Sequence, residues 1–161
     1  MPRLITAQSA LSYTPYFLVR VNATDRHTMD GTYTPVRFTT VDTNIGGHYS
    51  TTNYNFTAPV RGIYRFNFQV LIENVNPADD GMHAVFYKNG NTHTYGNLRS
   101  NGEAASTTGG AGYGNYLPAI GVTTAQLNQG DYMDVRLGAV ANSSFTYHTG
   151  QWSEFSGGLI G

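Results

Sequence analysis

The sequence contains no cysteine and a single lysine, Lys88. Without cysteine there is no disulfide framework, no thiolate-ligated zinc and no thiol nucleophile. Charge of either sign is scarce. The 161 residues include 9 Lys+Arg and 10 Asp+Glu, 12% in total, about half the usual quarter of a soluble domain. The resulting net charge of -1 provides no basic field for a nucleic acid. No apolar run approaches the roughly 20 residues of a membrane-spanning helix, so membrane insertion is not expected. In the N-terminal stretch Thr6, Gln8, Ser9 and Ser12 interrupt what would have to be the apolar core of a secretory signal. Helical periodicity, with apolar residues at i, i+3, i+4 and i+7, is also missing.

Aromatics are abundant instead. Twelve Tyr, eight Phe and one Trp make up 13% of the chain, beside nineteen Gly. That composition can build a packed core and is unlike that of a disordered chain. The apolar residues alternate with a period of two. From Val60 to Ile72, the side chains of Val60, Tyr64, Phe66, Phe68, Val70 and Ile72 share one face, with Gly62 among them. Arg61, Arg65, Asn67 and Gln69 take the other face, with Ile63 the exception. A one-residue slip would invert every side chain, so this register is well specified. Phe17, Val19 and Val21 alternate in the same way. Met82 to Lys88 is apolar on both faces, which predicts a strand covered on one side by the core and on the other by another subunit. Asn89-Gly90 follows as a two-residue hairpin turn. Leu117 to Leu127, Tyr132 to Leu137 and a closing segment at Gly157 to Ile160 complete the predicted strands. Short strands separated by turn signals predict an all-β antiparallel sandwich or barrel. Residues 1–15 read as an N-terminal arm, residues 16–161 as one domain, and residues 100–115 as a long Gly/Ser/Thr-rich loop.

A spaced pattern runs through the middle of the chain. Phe38 is followed after five residues by Asn44, after four by Tyr49, after six by Phe56 and after five by Gly62; Tyr64, Phe66 and Phe68 then come at every second position. These eight positions, with the local sequence FTAPVRGIYRFNF, resemble the globular head of the complement C1q family, which is related in fold to tumour necrosis factor. Leu127, Gly130, Asp131, Met133, Val135, Phe155, Gly157 and Leu159 extend the resemblance towards the C-terminus. It implies a jelly-roll sandwich of about ten strands that forms a homotrimer and serves as a non-enzymatic recognition or structural head. The chain departs from secreted relatives in lacking Gly-X-Y repeats, cysteines and a recognisable signal.

Residues that could carry chemistry are few. His27, His48, His83, His93 and His148 are widely spaced and show no HExxH-type pattern. Serines lack a GxSxG elbow. Asp79 and Asp80, in the oxygen-rich stretch 73–81, are weak calcium candidates because calcium takes six to eight oxygen ligands. No other metal and no cofactor are expected. Gly109, Gly110, Gly112 and Gly114 lack the following helix and lysine of a phosphate loop. Tyr113 and Tyr116 make the same stretch a candidate contact loop, since Tyr is favoured at interfaces. Asn22, Asn55 and Asn142 begin glycosylation sequons, read as chance matches in an Asn/Thr-rich chain.

These features lead to a functional expectation. The protein is read as a homotrimeric head on a virion surface, a phage capsid decoration protein or fibre head. Residues 1–15 would hold it to a capsid or other virion protein, and a cell-surface or glycan receptor would be its outward partner. The alternative is an extracellular ligand-recognition head of the complement or tumour necrosis factor type. An enzyme is not expected.

Overall fold

A computed structural model describes residues 11–22, 28–29, 32–73, 82–99, 117–139, 145–147 and 150–161. The strands in chain order are β1 (Tyr16–Val21), β2 (Thr28–Met29), β3 (Thr34–Pro35), β4 (Phe38–Ile45), β5 (Tyr49–Ser50), β6 (Asn55–Thr57) and β7 (Gly62–Glu73). They continue as β8 (Met82–Lys88), β9 (Asn91–Arg99), β10 (Leu117–Leu127), β11 (Tyr132–Ala139), β12 (Phe145–Tyr147) and β13 (Gly150–Leu159). All pairings are antiparallel and fall into two sheets. In the first, β10 runs along one edge of β7, and β13 and β12 share the other. Beyond β13 come β1 and then β4. The second has the order β5-β6-β11-β8-β9, with β3 also paired to β11.

The alternation read from the sequence sets the packing. Tyr64, Phe66, Phe68, Val70 and Ile72 of β7 are all buried. Phe17, Val19 and Val21 of β1 enter the same core, as do Met133, Val135 and Leu137 of β11. Phe17 sits at its centre. Its ring stacks on Tyr49 and Phe56 at 5.1 and 5.0 Å and meets Phe155 edge-on at 4.8 Å. Burying a large aromatic ring contributes several times the free energy of one methyl group, so this cluster is the main store of stability in a chain without disulfides. Two closely packed glycines let the layers meet. A Cβ on Gly121 or Gly157 would strike the rings of Phe68 or Phe66.

The turns are concentrated at one end. Asn89 and Gly90 take positive φ values of 51° and 77°, as the predicted hairpin requires, and Gly130 does so at 88° in the β10–β11 turn. At this end β1 and β7 begin and β13 finishes. The strand ends that flank residues 23–27, 74–81, 100–116 and 140–144 lie at the other end.

Several details differ from the sequence reading. Thirteen strands are present among the described residues, because short pairings at β2, β3, β5 and β12 count separately. The closing strand starts at Gly150 instead of Gly157. A register shift against β1 between Arg20 and Val21 disturbs the alternation there. The outward face of β8 is covered by the chain itself, with Tyr33 beside Tyr87 at 5.8 Å, and needs no second subunit.

Candidate binding surfaces

The eight spaced residues form the inner frame. Phe38, Phe56, Tyr64, Phe66 and Phe68 are buried in the sandwich. Asn44, at the end of β4, donates from Nδ2 to the Tyr49 carbonyl and accepts from the Tyr49 amide, both at 3.0 Å. Tyr49 in turn donates its hydroxyl to the Phe38 carbonyl at 3.1 Å, and burial pushes this phenol well above its ordinary range. Tyr64 donates to the Val60 carbonyl at 2.8 Å. Gly62 lies under Leu159, where a side chain would clash. These residues shape the sandwich and offer no reactive group to solvent.

The register of the first sheet defines its outward face. Three rows cross it: Tyr16, Gly158, Arg65 and Thr124; Leu18, Ser156, Asn67 and Val122; Arg20, Glu154, Gln69 and Ile120. Ile63, Ile120 and Val122 are 45%, 47% and 54% exposed, beside Tyr16 at 41%. Apolar side chains left in water on a sheet face make it a candidate contact surface. A shallow depression lies on this side, lined by Pro15, Tyr16, Arg65, Asn67, Gly158 and Ile160 among others.

The outward face of the second sheet carries an aromatic cluster. The Tyr33 hydroxyl and Nδ1 of His83 are hydrogen-bonded at 2.6 Å. Tyr95 meets His83 edge-on at 5.7 Å and is 48% exposed. Gly138 leaves room for the Tyr33 ring. The Arg136 guanidinium lies 4.2 Å from the centre of the Tyr87 ring and grips Asp134 with two bonds of 2.7 and 3.2 Å. Burial pushes the Asp134 carboxyl up, and the Arg136 pairing offsets part of that shift. Burial, with the hydrogen bond between Tyr33 and Tyr95, raises Tyr33 to about 12. A phenol held so firmly protonated is the opposite of an activated nucleophile.

Other polar groups hold turns together. Asp131 accepts from the Asn128 amide at 2.9 Å and from Asn89 Nδ2 at 2.8 Å, with Lys88 at 3.2 Å. These contacts hold its carboxyl below the usual range. Among the described residues no group of three His, Cys, Asp or Glu could hold a metal. Asp79, Asp80, Tyr113 and Tyr116 lie outside the described residues. The sequence reading missed the cluster of Tyr33, His83, Tyr87 and Arg136, which is assembled from three distant segments and has no local signature. It also missed the pairing of Tyr13 with His48 across 35 positions.

Two antiparallel sheets, a shared aromatic core and this strand order define a jelly roll of the tumour necrosis factor-like class. The chain belongs to the C1q domain family, whose model matches residues 17–160. Among solved structures it is similar to the globular domain of zebrafish complement 1qA protein, with 18% identity, a TM-score of 0.61, and coverage of 92% of this chain and 98% of that one. It is also similar to murine APRIL at pH 8.5, with 15% identity, a TM-score of 0.60 and coverage of 90% and 99%. A third likeness is to the Eiger TNF of S. frugiperda, with 10% identity, a TM-score of 0.62 and coverage of 92% and 93%. Identities this low speak for the fold alone.

Proposed function

We propose that the protein is a non-enzymatic recognition head that works as a homotrimer. The observation that carries this reading is the outward face of the first sheet, on which Ile63, Ile120, Val122 and Tyr16 are each exposed. Closing three copies around an axis would bury that face in a heterologous contact that ends at three subunits. The second sheet, with its Tyr, His and Arg cluster, would then remain outside, where such side chains favour binding. Family membership supports the reading, since C1q-type domains are generally trimeric, extracellular recognition modules. Replacing Val122 by Glu should split the trimer while leaving a folded monomer, as read by sedimentation velocity and circular dichroism. A V122E protein that stays trimeric would refute this use of the face.

The carrier of the head is a second, separable matter. Display on a virion through residues 1–15 is the reading drawn from the sequence. In its favour, β1 begins at the end of the sandwich that carries the Asn89-Gly90 and Gly130 turns. The family and the similar structures fit an extracellular ligand head equally well. Deleting residues 1–12 decides between them. The virion reading requires loss of attachment to the particle with the trimer intact. Unchanged attachment refutes the arm as the anchor, and secretion without any particle favours the ligand head.

A further inference from the structure

The Asn89-Gly90 turn carries chemistry that the fold alone does not use. Both residues are exposed to water. Asn89 is tied to the β10–β11 turn by three hydrogen bonds. Its backbone amide donates to the Tyr132 carbonyl at 3.0 Å. Its Nδ2 donates to Asp131 Oδ1 at 2.8 Å, and its Oδ1 accepts from the Tyr132 amide at 2.9 Å. The following residue is a glycine, so no side chain shields the next backbone nitrogen.

Asparagine is one of the thermolabile residues, and before glycine it modifies itself. The Gly90 nitrogen attacks Cγ of Asn89, and the new C–N bond closes a five-membered succinimide. The Cγ–Nδ2 bond breaks, and the Gly90 amide proton leaves with Nδ2 as ammonia. Water then opens the ring at either carbonyl and leaves aspartate or isoaspartate at position 89. No oxidant, metal or cofactor enters.

The fold acts on this reaction before and after it. Beforehand, the leaving nitrogen and the reacting carbonyl are the two groups that Asp131 and Tyr132 hold. The side chain must come off the turn to react, so the rate follows the fraction of time it is off. Afterwards, a carboxylate stands where Asp131 had a donor. An ionised carboxylate only accepts, so two like-charged acceptors then face each other, with Lys88 beside Asp131 at 3.2 Å. We infer that Asn89 is a self-modification site, clamped by Asp131 and Tyr132 while the turn is closed, and that its conversion releases the β8–β9 hairpin from the β10–β11 turn. The change is one-way, because the ammonia is lost. It stands apart from the trimer, since every group involved belongs to one chain.

Ageing the full chain at pH 8 and 37 °C tests it, with the exchange of NH2 for OH at residue 89 read by mass spectrometry on peptides that cover it. Asn101-Gly102, the chain's other Asn-Gly pair, lies outside the described residues and is read on its own peptide. Folded wild type should convert at Asn89 roughly five- to a hundredfold more slowly than the chain in guanidinium, the value of two hydrogen bonds. Asp131→Ala removes one of the two and should speed conversion of the folded chain roughly three- to tenfold, with the circular dichroism of the wild type. Asn89→Asp, standing in for the product, should lose hydrogen-exchange protection at the residue 89 and Tyr132 amides. Adding Asp131→Asn to it swaps donor and acceptor and should restore that protection. If Asp131→Ala does not fold, the guanidinium comparison and the swapped pair decide. Conversion as fast in the folded chain as in guanidinium overturns the clamp; a Tyr132 amide that polarised the Asn89 carbonyl would give that result. Conversion slower than the expected range overturns the site, and wild-type protection in Asn89→Asp overturns the release.

Discussion

Asn44 holds Tyr49 by both of its backbone polar groups, donating to its carbonyl and accepting from its amide at 3.0 Å each. One side chain thereby fixes the link between β4 and β5 and delivers Tyr49 into the core. Asn44→Ala leaves both backbone groups without partners in a half-buried site. The loss should cost about 1–3 kcal/mol, seen as a lower urea midpoint with an unchanged slope. An unaltered midpoint would show that water replaces the amide freely.

The aromatic cluster should respond steeply to truncation. Phe17→Ala removes a fully buried ring that touches Tyr49, Phe56, Phe66 and Phe155. A loss of about 3–5 kcal/mol is expected. Gly121→Ala tests the opposite error, since the added methyl meets Phe68 and Phe86. Overpacking of that kind should cost about 1–3 kcal/mol. Thermal unfolding of both variants is the check, and the order of the two effects matters more than either value.

Tyr33 gives an alkaline signature. Its phenol is raised to about 12 by burial and by its hydrogen bond with Tyr95. A raised phenol stabilises the fold fully below its unfolded value near 10 and loses that contribution as the pH climbs from 10 towards 12. Ultraviolet titration should show, besides the raised buried phenols of Tyr49 and Tyr64, a tyrosine titrating near 12 that vanishes in Tyr33→Phe. The variant should also lose less stability than wild type between pH 10 and pH 11.5. Identical titration curves would contradict the placement of Tyr33 over His83 and Tyr87.

Asp131 gives the matching acid signature. The Asn128 amide, Asn89 and Lys88 hold its carboxyl below its ordinary value of 3.8. Its contribution is therefore complete above 3.8 and fades as the pH falls through the lower folded value. Asn89→Ala removes one of these donors and loosens the hairpin from the β10–β11 turn. The carboxyl of this variant, followed by NMR, should titrate closer to 3.8. A value that does not move would assign the shift to the Asn128 amide and Lys88.

The parts of this fold that were legible in the sequence are those where local alternation and tertiary packing agree. The strand from Gly62 to Glu73 is the clearest case, because Tyr64 through Ile72 face one core without interruption. The Asn89-Gly90 turn was legible for a backbone reason, the need for two positive φ values. By contrast, β4 is mostly exposed and rich in Thr, so its pattern carries little signal. The start of β13 was hidden by the register shift near Val21. Of the candidate surfaces, neither the exposed face of the first sheet nor the Tyr33 cluster was legible. Each depends on which strands lie side by side, and alternation within a strand does not reveal its neighbours. Ile63 alone gave a hint, as the apolar residue that broke the polar face of its strand.

The central claim is that the exposed face of the first sheet closes a homotrimer. Sedimentation equilibrium of the purified chain at neutral pH tests it most directly. The account predicts one species of three chain masses, replaced by one chain mass in Val122→Glu. A wild-type protein that sediments as a single folded chain across the accessible concentrations would contradict it.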